Sequence, residues 1–181
     1  MNKLILSLRD SLGDCKRIES SVCLRKTSYE IVNNRIFYVY DNTKDEHPIK
    51  VVDKMHDYQL TVNNHNKYDN DVCILKTDKC LLTDKHQKCD CIIFNRNKLF
   101  FVEISESRQK GNKRRNAVDQ IESTISILRK SNINIERFEV AAIICFKNGK
   151  SRPTQASFNA NRDAFLERNG IVLDETNEIS F

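Results

Sequence analysis

The sequence predicts a mixed α/β fold, in which helices flank a mixed sheet and the N-terminal half is rich in strands. Two apolar, β-prone runs flank the polar tetrapeptide 95–98, a pattern that indicates a hairpin. An apolar stripe of helical period follows at 117–128, and the next run, 138–146, is apolar on both faces, as in a covered central strand. A strand, a helix and a second strand in this order form a βαβ unit with the helix packed on the sheet.

The N-terminal half carries short apolar runs separated by polar loops. We expect a helix at 4–12 that ends at Gly13. Asn33-Asn34 predicts a tight turn between two strands. This β-rich half could touch a substrate, or its outer face could simply be solvated. Strands are expected at 22–24, 29–32, 35–40, 49–52, 58–62, 72–75 and 80–82.

The hairpin around 95–98 places two acids opposite each other. A register that pairs Phe94 with Leu99 also pairs Asp90 with Glu103. Opposed side chains in antiparallel strands have Cβ atoms roughly 4.5–5.5 Å apart, and like charges there are destabilising. Two carboxylates in this position could hold a cation, and Mg²⁺ (or Mn²⁺) suits an oxygen-only site with few protein ligands. They could equally be solvated acids at strand ends.

The segment 108–115 is the most basic stretch of the chain and directly follows the strand that carries Glu103. It holds Arg108, Lys110, Lys113, Arg114 and Arg115, and no acid. Cations next to a pair of carboxylates are where the phosphate backbone of a nucleic acid would need them. The alternative is a solvated loop.

The helix after this segment has the clearest periodicity in the chain. Asn112 or Asn116 could cap its start. Gln120 lies at the flank of the stripe, where it could reach the acids or simply hydrogen-bond to water. The stripe itself consists of Ala117, Ile121, Thr124, Ile125 and Leu128.

Beyond residue 146 the signals are weaker. A short helix is expected at 161–168 because Gly170 can end it. An edge strand is expected at 171–173.

Length and charge bound the class of protein. The 181 residues suggest a single domain, 1–181, and the net charge of +5 is compatible with a nucleic-acid partner without requiring one. No apolar run approaches the roughly 20 residues of a membrane span, and the N-terminal run before Arg9 is too short for a signal peptide. We therefore expect a cytoplasmic protein that does not enter membranes; a homo-oligomer or a partner subunit stays open.

The cysteines do not predict a disulfide framework or a zinc site. There are seven of them, an odd number. Cys89 and Cys91 are separated by one residue, which is closer than the usual spacing of zinc ligands, and no second half with His follows. We expect buried free thiols.

The region from about 70 to 146 resembles the core of the PD-(D/E)xK nuclease superfamily. The resemblance lies in Asp90, an apolar strand, a turn, a second strand that ends in Val102-Glu103-Ile104, and a helix with Gln120-Ile121. It implies a restriction-endonuclease-like core in which Asp90 and Glu103 bind Mg²⁺ (or Mn²⁺), and phosphodiester hydrolysis of nucleic acid. A role in defence against foreign DNA would follow only by analogy.

One position departs from the superfamily pattern. Ser105 stands where the usual Lys orients the attacking water and stabilises charge on the phosphate. Some members carry this Lys on the following helix, and Lys110 and Lys113 are the candidates here. Glu19, Asp78 and Asp84 could add a further acid, although turn or solvated residues are the default for all three.

Three functions therefore remain open at this stage. The first is a metal-dependent nuclease, with Asp90, Glu103, Ser105, Lys113 and Gln120 at its site. The second is a catalytically inactive nucleic-acid-binding or scaffold subunit on the same fold, which would explain Ser105. The third is a protein-interaction module, whose hallmark would be an apolar surface patch and no pair of carboxylates.

Overall fold

Ten strands and two helices make up the described part of the chain, which forms a mixed α and β fold with two sheets. The computed structural model describes residues 4, 29–42, 49–54, 60–65, 71–77, 82, 87–105, 111–146 and 156–181. The strands are β1 (Tyr29–Val32), β2 (Ile36–Asp41), β3 (Ile49–Val52), β4 (Leu60–Asn63), β5 (Val72–Lys76), β6 (Cys91–Phe94), β7 (Lys98–Ser105), β8 (Glu139–Phe146), β9 (Val172–Glu175) and β10 (Glu178–Ser180). The helices are α1 (Gly111–Lys130) and α2 (Ala156–Asn169).

The larger sheet has six strands in the order β1-β5-β6-β7-β8-β9. Neighbours from β1 to β7 are antiparallel, whereas β7, β8 and β9 run parallel. The parallel pair β7–β8 is connected through α1, so the predicted βαβ unit is confirmed. The sheet is mixed, as expected.

The smaller sheet has four strands in the order β10-β4-β2-β3 and covers one face of the larger sheet. Phe37 and Val39 of β2 and Val62 of β4 share a buried cluster with Ile93 and Val102 of the larger sheet. Burying each such side chain contributes roughly 1.5–3 kcal/mol. Strands β2, β3 and β4 of the β-rich N-terminal half therefore form most of a second layer, whereas β1 joins the larger sheet.

The helices cover the opposite face of the larger sheet. Their cluster includes Phe94 and Phe101 from the sheet and Phe165 from α2. The predicted stripe of α1 is confirmed, since all its members are buried: Ala117, Ile121, Thr124, Ile125 and Leu128. β8 lies between the two clusters, with Ile144 in one and Cys145 in the other, as the apolar run predicted.

The prediction that Asn33-Asn34 forms the turn of a hairpin is wrong. β1 pairs with β5 in the larger sheet, while β2 pairs with β3 and β4 in the smaller one. Among the described residues other than Gly, only Asn132 has a positive φ, so neither Asn takes the conformation that a two-residue hairpin turn requires. The segment instead carries the chain from one sheet to the other.

Three boundaries near the helices also differ from expectation. α1 begins at Gly111, so Asn116 lies in its second turn and does not cap it. α2 begins at Ala156 rather than 161; its described side chains, from Asn159 onward, are mostly exposed, so no apolar stripe indicated the earlier start. It ends at Asn169, where Gly170 with a φ of 68° terminates it as expected. The edge strand expected at 171–173 is β9, which lies at 172–175. The strand after it, β10, was not predicted.

Several expectations concern residues outside the described part of the chain. They are the helix at 4–12 apart from Leu4, the strand at 22–24, residues 58–59 and 80–81 of two further strands, and the acids Glu19, Asp78 and Asp84. No helix among the described residues is long and apolar enough to cross a bilayer.

Candidate active site

The predicted hairpin register is the observed one, and it sets Asp90 beside Glu103. Phe94 pairs with Leu99 and Cys91 with Val102, so the next residues outward are the two acids. The turn is closed by the Asn95 N–H, which donates to the Lys98 carbonyl at 3.0 Å. The Asn95 side chain also accepts from the N–H groups of Asn97 and Lys98, each at 2.8 Å, which stabilises a turn that lacks Gly.

Each carboxylate is oriented by a backbone N–H of the opposite strand. The Asp90 N–H donates to Oε2 of Glu103 at 3.2 Å. The Ile104 N–H donates to Oδ2 of Asp90 at 2.7 Å. These reciprocal bonds hold the two acids at the same end of the β6–β7 pair. Glu103 is buried, with 7% of its surface exposed, which makes its charge costly unless cations or donors are near.

Helix α1 fixes the chain just before Asp90. Nε2 of Gln120 donates to the Lys88 carbonyl at 3.1 Å. The Thr124 hydroxyl accepts from the Cys89 N–H at 2.9 Å and donates to the Gln120 carbonyl at the same distance. Gln120 therefore positions the strand that carries Asp90, a role that its place on the flank of the stripe allows.

Thr77, at the end of β5, fixes the same segment from the other side. Its hydroxyl donates to the Cys89 carbonyl, and its N–H donates to the Asp90 carbonyl at 3.2 Å. Thr77 is fully buried. With α1 on one side and β5 on the other, the backbone at Asp90 has little freedom to move.

The two acids open onto a cleft of about 360 Å³. All five residues that were expected at the site line this cleft, although they come from three separate elements. Its lining comprises Asp41, Asp90, Glu103, Ile104, Ser105, Lys113, Asn116 and Gln120. Among the described residues, three acids and one lysine line this space, and carboxylates gathered in one cleft favour a cation there.

Two lining residues were missed from the sequence. Asp41 ends β2 and so arrives from the smaller sheet. Its only signal was an acid at the end of an apolar run. Asn116 lies between Lys113 and Gln120 at spacings of three and four, which place all three on one helix face. That spacing could have identified Asn116.

Lys113 and Ser105 both line the cleft with Asp90 and Glu103. A serine hydroxyl is neutral, whereas a lysine ammonium is charged. Among the described residues of the lining, Lys113 is the one with a positive charge. It lies in the first turn of α1, and its role as a displaced Lys stays a prediction.

The other four basic residues of the segment 108–115 differ in position. Arg108 and Lys110 lie outside the described part of the chain. Arg114 points to β9, where Nε donates to Glu175, and its guanidinium lies 6.0 Å from the ring centroid of Phe146. Arg115 is exposed on α1.

The cysteines near the site do not resemble metal ligands. Cys89 belongs to the helix-side cluster and Cys91 to the cluster between the sheets. Burial, followed by the charge of Asp90, raises the pKa of the Cys91 thiol, and burial likewise raises the pKa of Cys89. Both therefore remain protonated at neutral pH, and they face different layers of the fold.

The donor set suits a hard cation with few protein ligands. The described residues that line the cleft offer carboxylate, amide and hydroxyl oxygens, without His or Cys. In that part of the chain, no three His, Cys, Asp or Glu side chains form a group that could hold a metal by themselves. Two carboxylates completed by water would be the pattern of Mg²⁺, which keeps several of its waters.

No protein-family model, no curated protein and no solved structure matches this chain. The function proposed for it therefore rests on the geometry of the cleft.

Proposed function

We propose that this protein is a metal-dependent nuclease that hydrolyses phosphodiester bonds, with Asp90 and Glu103 holding Mg²⁺ or Mn²⁺. The observation that carries the proposal is the convergence of Asp90, Glu103, Ser105, Lys113 and Gln120 on one cleft. The hairpin register brings Asp90 and Glu103 together, whereas Lys113 and Gln120 reach the same cleft from a separate element, α1.

The order of elements around the cleft supports the same proposal. The antiparallel strands β5, β6 and β7 are followed by α1 and then by β8, which is parallel to β7. This is the arrangement expected for a PD-(D/E)xK-like core at about 70–146. The two acids lie on β7 and just before β6, at the strand ends that open onto the cleft.

The residues divide the chemistry of hydrolysis between them. A metal ion bound by Asp90 and Glu103 would supply Lewis acidity toward a phosphate oxygen and would acidify water. Lys113 would stabilise the charge that develops on the phosphate as water attacks phosphorus and the P–O bond to the leaving oxygen breaks. The Ser105 hydroxyl can donate one hydrogen bond in the same space. Gln120 would act through the backbone by keeping Asp90 in place.

A cleavage assay with matched variants tests this function. Labelled DNA and RNA, single- and double-stranded, are incubated with Mg²⁺, with Mn²⁺ or with EDTA. We expect metal-dependent cleavage that falls by about 10²-fold or more in Asp90→Asn and in Glu103→Gln. Asp174→Asn is the control, because this acid pairs with Arg162 on the far edge of the sheet. Cleavage that persists in the double variant Asp90→Ala, Glu103→Ala would contradict the mechanism.

Ser105 favours one alternative, a subunit that binds nucleic acid without cleaving it. In that case a mobility shift would be present without metal-dependent cleavage. Charge reversal at Lys113 and Arg115 should weaken that shift, and a shift that does not respond would argue against contact with the backbone. The third possibility was a protein-interaction module, for which no pair of neighbouring carboxylates was expected. The position of Asp90 beside Glu103 disfavours it.

A further inference from the structure

Helix α1 presents three polar side chains to the cleft. Lys113, Asn116 and Gln120 all line it, and their spacings of three and four residues place them on one helix face. Lys113 carries the charge proposed to act on the reacting phosphate, and Gln120 holds the segment before Asp90. Asn116 lies between these two residues and has no part in the bond-breaking step.

The side chain of Asn116 is accessible from the cleft. Asn116 is an exposed residue of α1. Within the described part of the chain its side chain has no hydrogen-bond partner, whereas Nε2 of Gln120, one turn further along, donates to the Lys88 carbonyl. An Asn amide carries two N–H donors and a carbonyl acceptor. These groups can therefore bind a ligand that enters the cleft.

An anionic ligand needs such donors because acids line the cleft. Asp41, Asp90 and Glu103 are all in the lining, and carboxylates in a shared space oppose the approach of a phosphate. A metal ion at Asp90 and Glu103 would offset part of this repulsion. Further attraction has to come from donors, and the side-chain N–H donors among the described lining residues are all on α1.

The reach of Asn116 overlaps that of Lys113. Residues three apart on a helix have Cβ atoms about 5–6 Å apart, and the helix rises about 4.5 Å between them. A nucleic acid whose reacting phosphate contacts Lys113 therefore brings the adjoining sugar-phosphate backbone within reach of Asn116. Asn side chains are among those that bind phosphate oxygens and sugars, and such contacts fix the position of the nucleic acid on the protein.

We infer that Asn116 is a substrate-binding residue, whose amide donates to the sugar-phosphate backbone of a nucleic acid in the cleft. The inference rests on the proposed function for the class of substrate and adds a residue that binds it. A neutral amide forms a hydrogen bond without releasing counterions, so this contact adds affinity without adding to the salt dependence of binding. Because it is made to the backbone, it does not distinguish one base sequence from another.

Binding in the absence of metal tests this contact. The full chain is titrated in EDTA, at several salt concentrations, against fluorescein-labelled oligo(dT), oligo(rU) and a DNA duplex, and anisotropy is read. The variants are Asn116→Ala, which removes the amide, and Asn116→Gln, which keeps it. Asn161→Ala is the matched control, because Asn161 is exposed on α2 and does not line the cleft. EDTA excludes a metal ion held by Asn116 as the cause of any difference.

Asn116→Ala should weaken binding roughly tenfold, which corresponds to the loss of one hydrogen bond to a charged acceptor. Asn116→Gln should recover part of this loss, and Asn161→Ala should bind like the wild type. The slope of log K against log salt should be the same in Asn116→Ala as in the wild type, whereas Lys113→Gln should flatten it by roughly 0.7–0.9. An unchanged slope shows that Lys113 still contacts the ligand, so a displaced helix is not the cause. Ala is also the best helix former, and thermal melts verify that each variant folds.

The outcomes separate this inference from the nuclease proposal. Equal binding of Asn116→Ala and the wild type, an equal loss in Asn161→Ala, a flattened salt slope in Asn116→Ala, or no binding by the wild type would overturn the role of Asn116, even if metal-dependent cleavage is found. Conversely, binding that depends on the Asn116 amide in a protein that never cleaves would retain this role and remove the nuclease. The DNA and RNA arms show which nucleic acid makes the contact.

Discussion

Replacing Glu103 with Gln should stabilise the metal-free protein and at the same time abolish cleavage. Glu103 and Asp90 face each other across an antiparallel pair and share their cleft with Asp41. Opposed residues have Cβ atoms roughly 5 Å apart, and like charges at about that separation repel by roughly 2–3 kcal/mol at an effective dielectric constant of about 20–40. Lys113 offsets part of this repulsion, so we expect a gain of about 1–2 kcal/mol in the free energy of unfolding. The amide can still accept the Asp90 N–H.

Urea denaturation in EDTA at low salt measures this gain. In a chain of this size, 1 kcal/mol also raises Tm by about 2–4 °C. Adding Mg²⁺ should stabilise the wild type, because a ligand that binds only the folded state adds RT ln(1 + [L]/Kd), and should leave Glu103→Gln unchanged. The control is Glu122→Gln on α1, whose carboxylate accepts from Arg168 and Asn169 and should lose stability or stay neutral. A destabilised Glu103→Gln in EDTA, with Mg²⁺ still stabilising it, would refute the reasoning.

Three further results are expected. Lys113→Met should lower the cleavage rate by about 10²–10³-fold with little change in stability, while Lys113→Arg retains part of the rate; an unchanged rate for Met would exclude Lys113 from the chemistry. Thr124→Val should cost about 1–3 kcal/mol in urea denaturation, because the buried Cys89 N–H loses its acceptor, and a neutral result would mean that this bond does not hold the segment. Stability should fall from about pH 9 upward, because burial raises the pKa of Cys73 to about 12 and only the unfolded chain releases that proton in between. Cys73→Ala should reduce the slope of that fall by up to ~1.4 kcal/mol per pH unit, and an identical slope would contradict the assigned cause.

Local rules were sufficient for the centre of the fold. The register of the β6–β7 hairpin follows from a short turn, so the meeting of Asp90 and Glu103 could be read from sequence. The stripe of α1 has a strict helical period, and it placed Gln120 on the flank that faces the segment before Asp90. Lys113 was one of two candidates for a Lys displaced onto the helix that follows Ser105.

Long-range pairing was beyond those rules. Nothing near Asn33 and Asn34 indicates that β1 joins β5 while β2 joins another sheet, since β1 depends on a partner about 40 residues away and β2 pairs with β4, more than 20 residues away. Asp41 reaches the cleft only through that second sheet. Among the described side chains of α2, from 159 to 169, Phe165 is the buried one, so the helix gave no periodic apolar signal.

The position of a bound metal ion tests the central claim most directly. Crystals of the protein grown or soaked with Mn²⁺ would be measured at the manganese absorption edge. The proposed site predicts an anomalous peak within coordination distance, about 2.0–2.2 Å, of carboxylate oxygens of both Asp90 and Glu103. The absence of a peak at these two acids at saturating Mn²⁺, with the ion bound elsewhere or not at all, would contradict the claim.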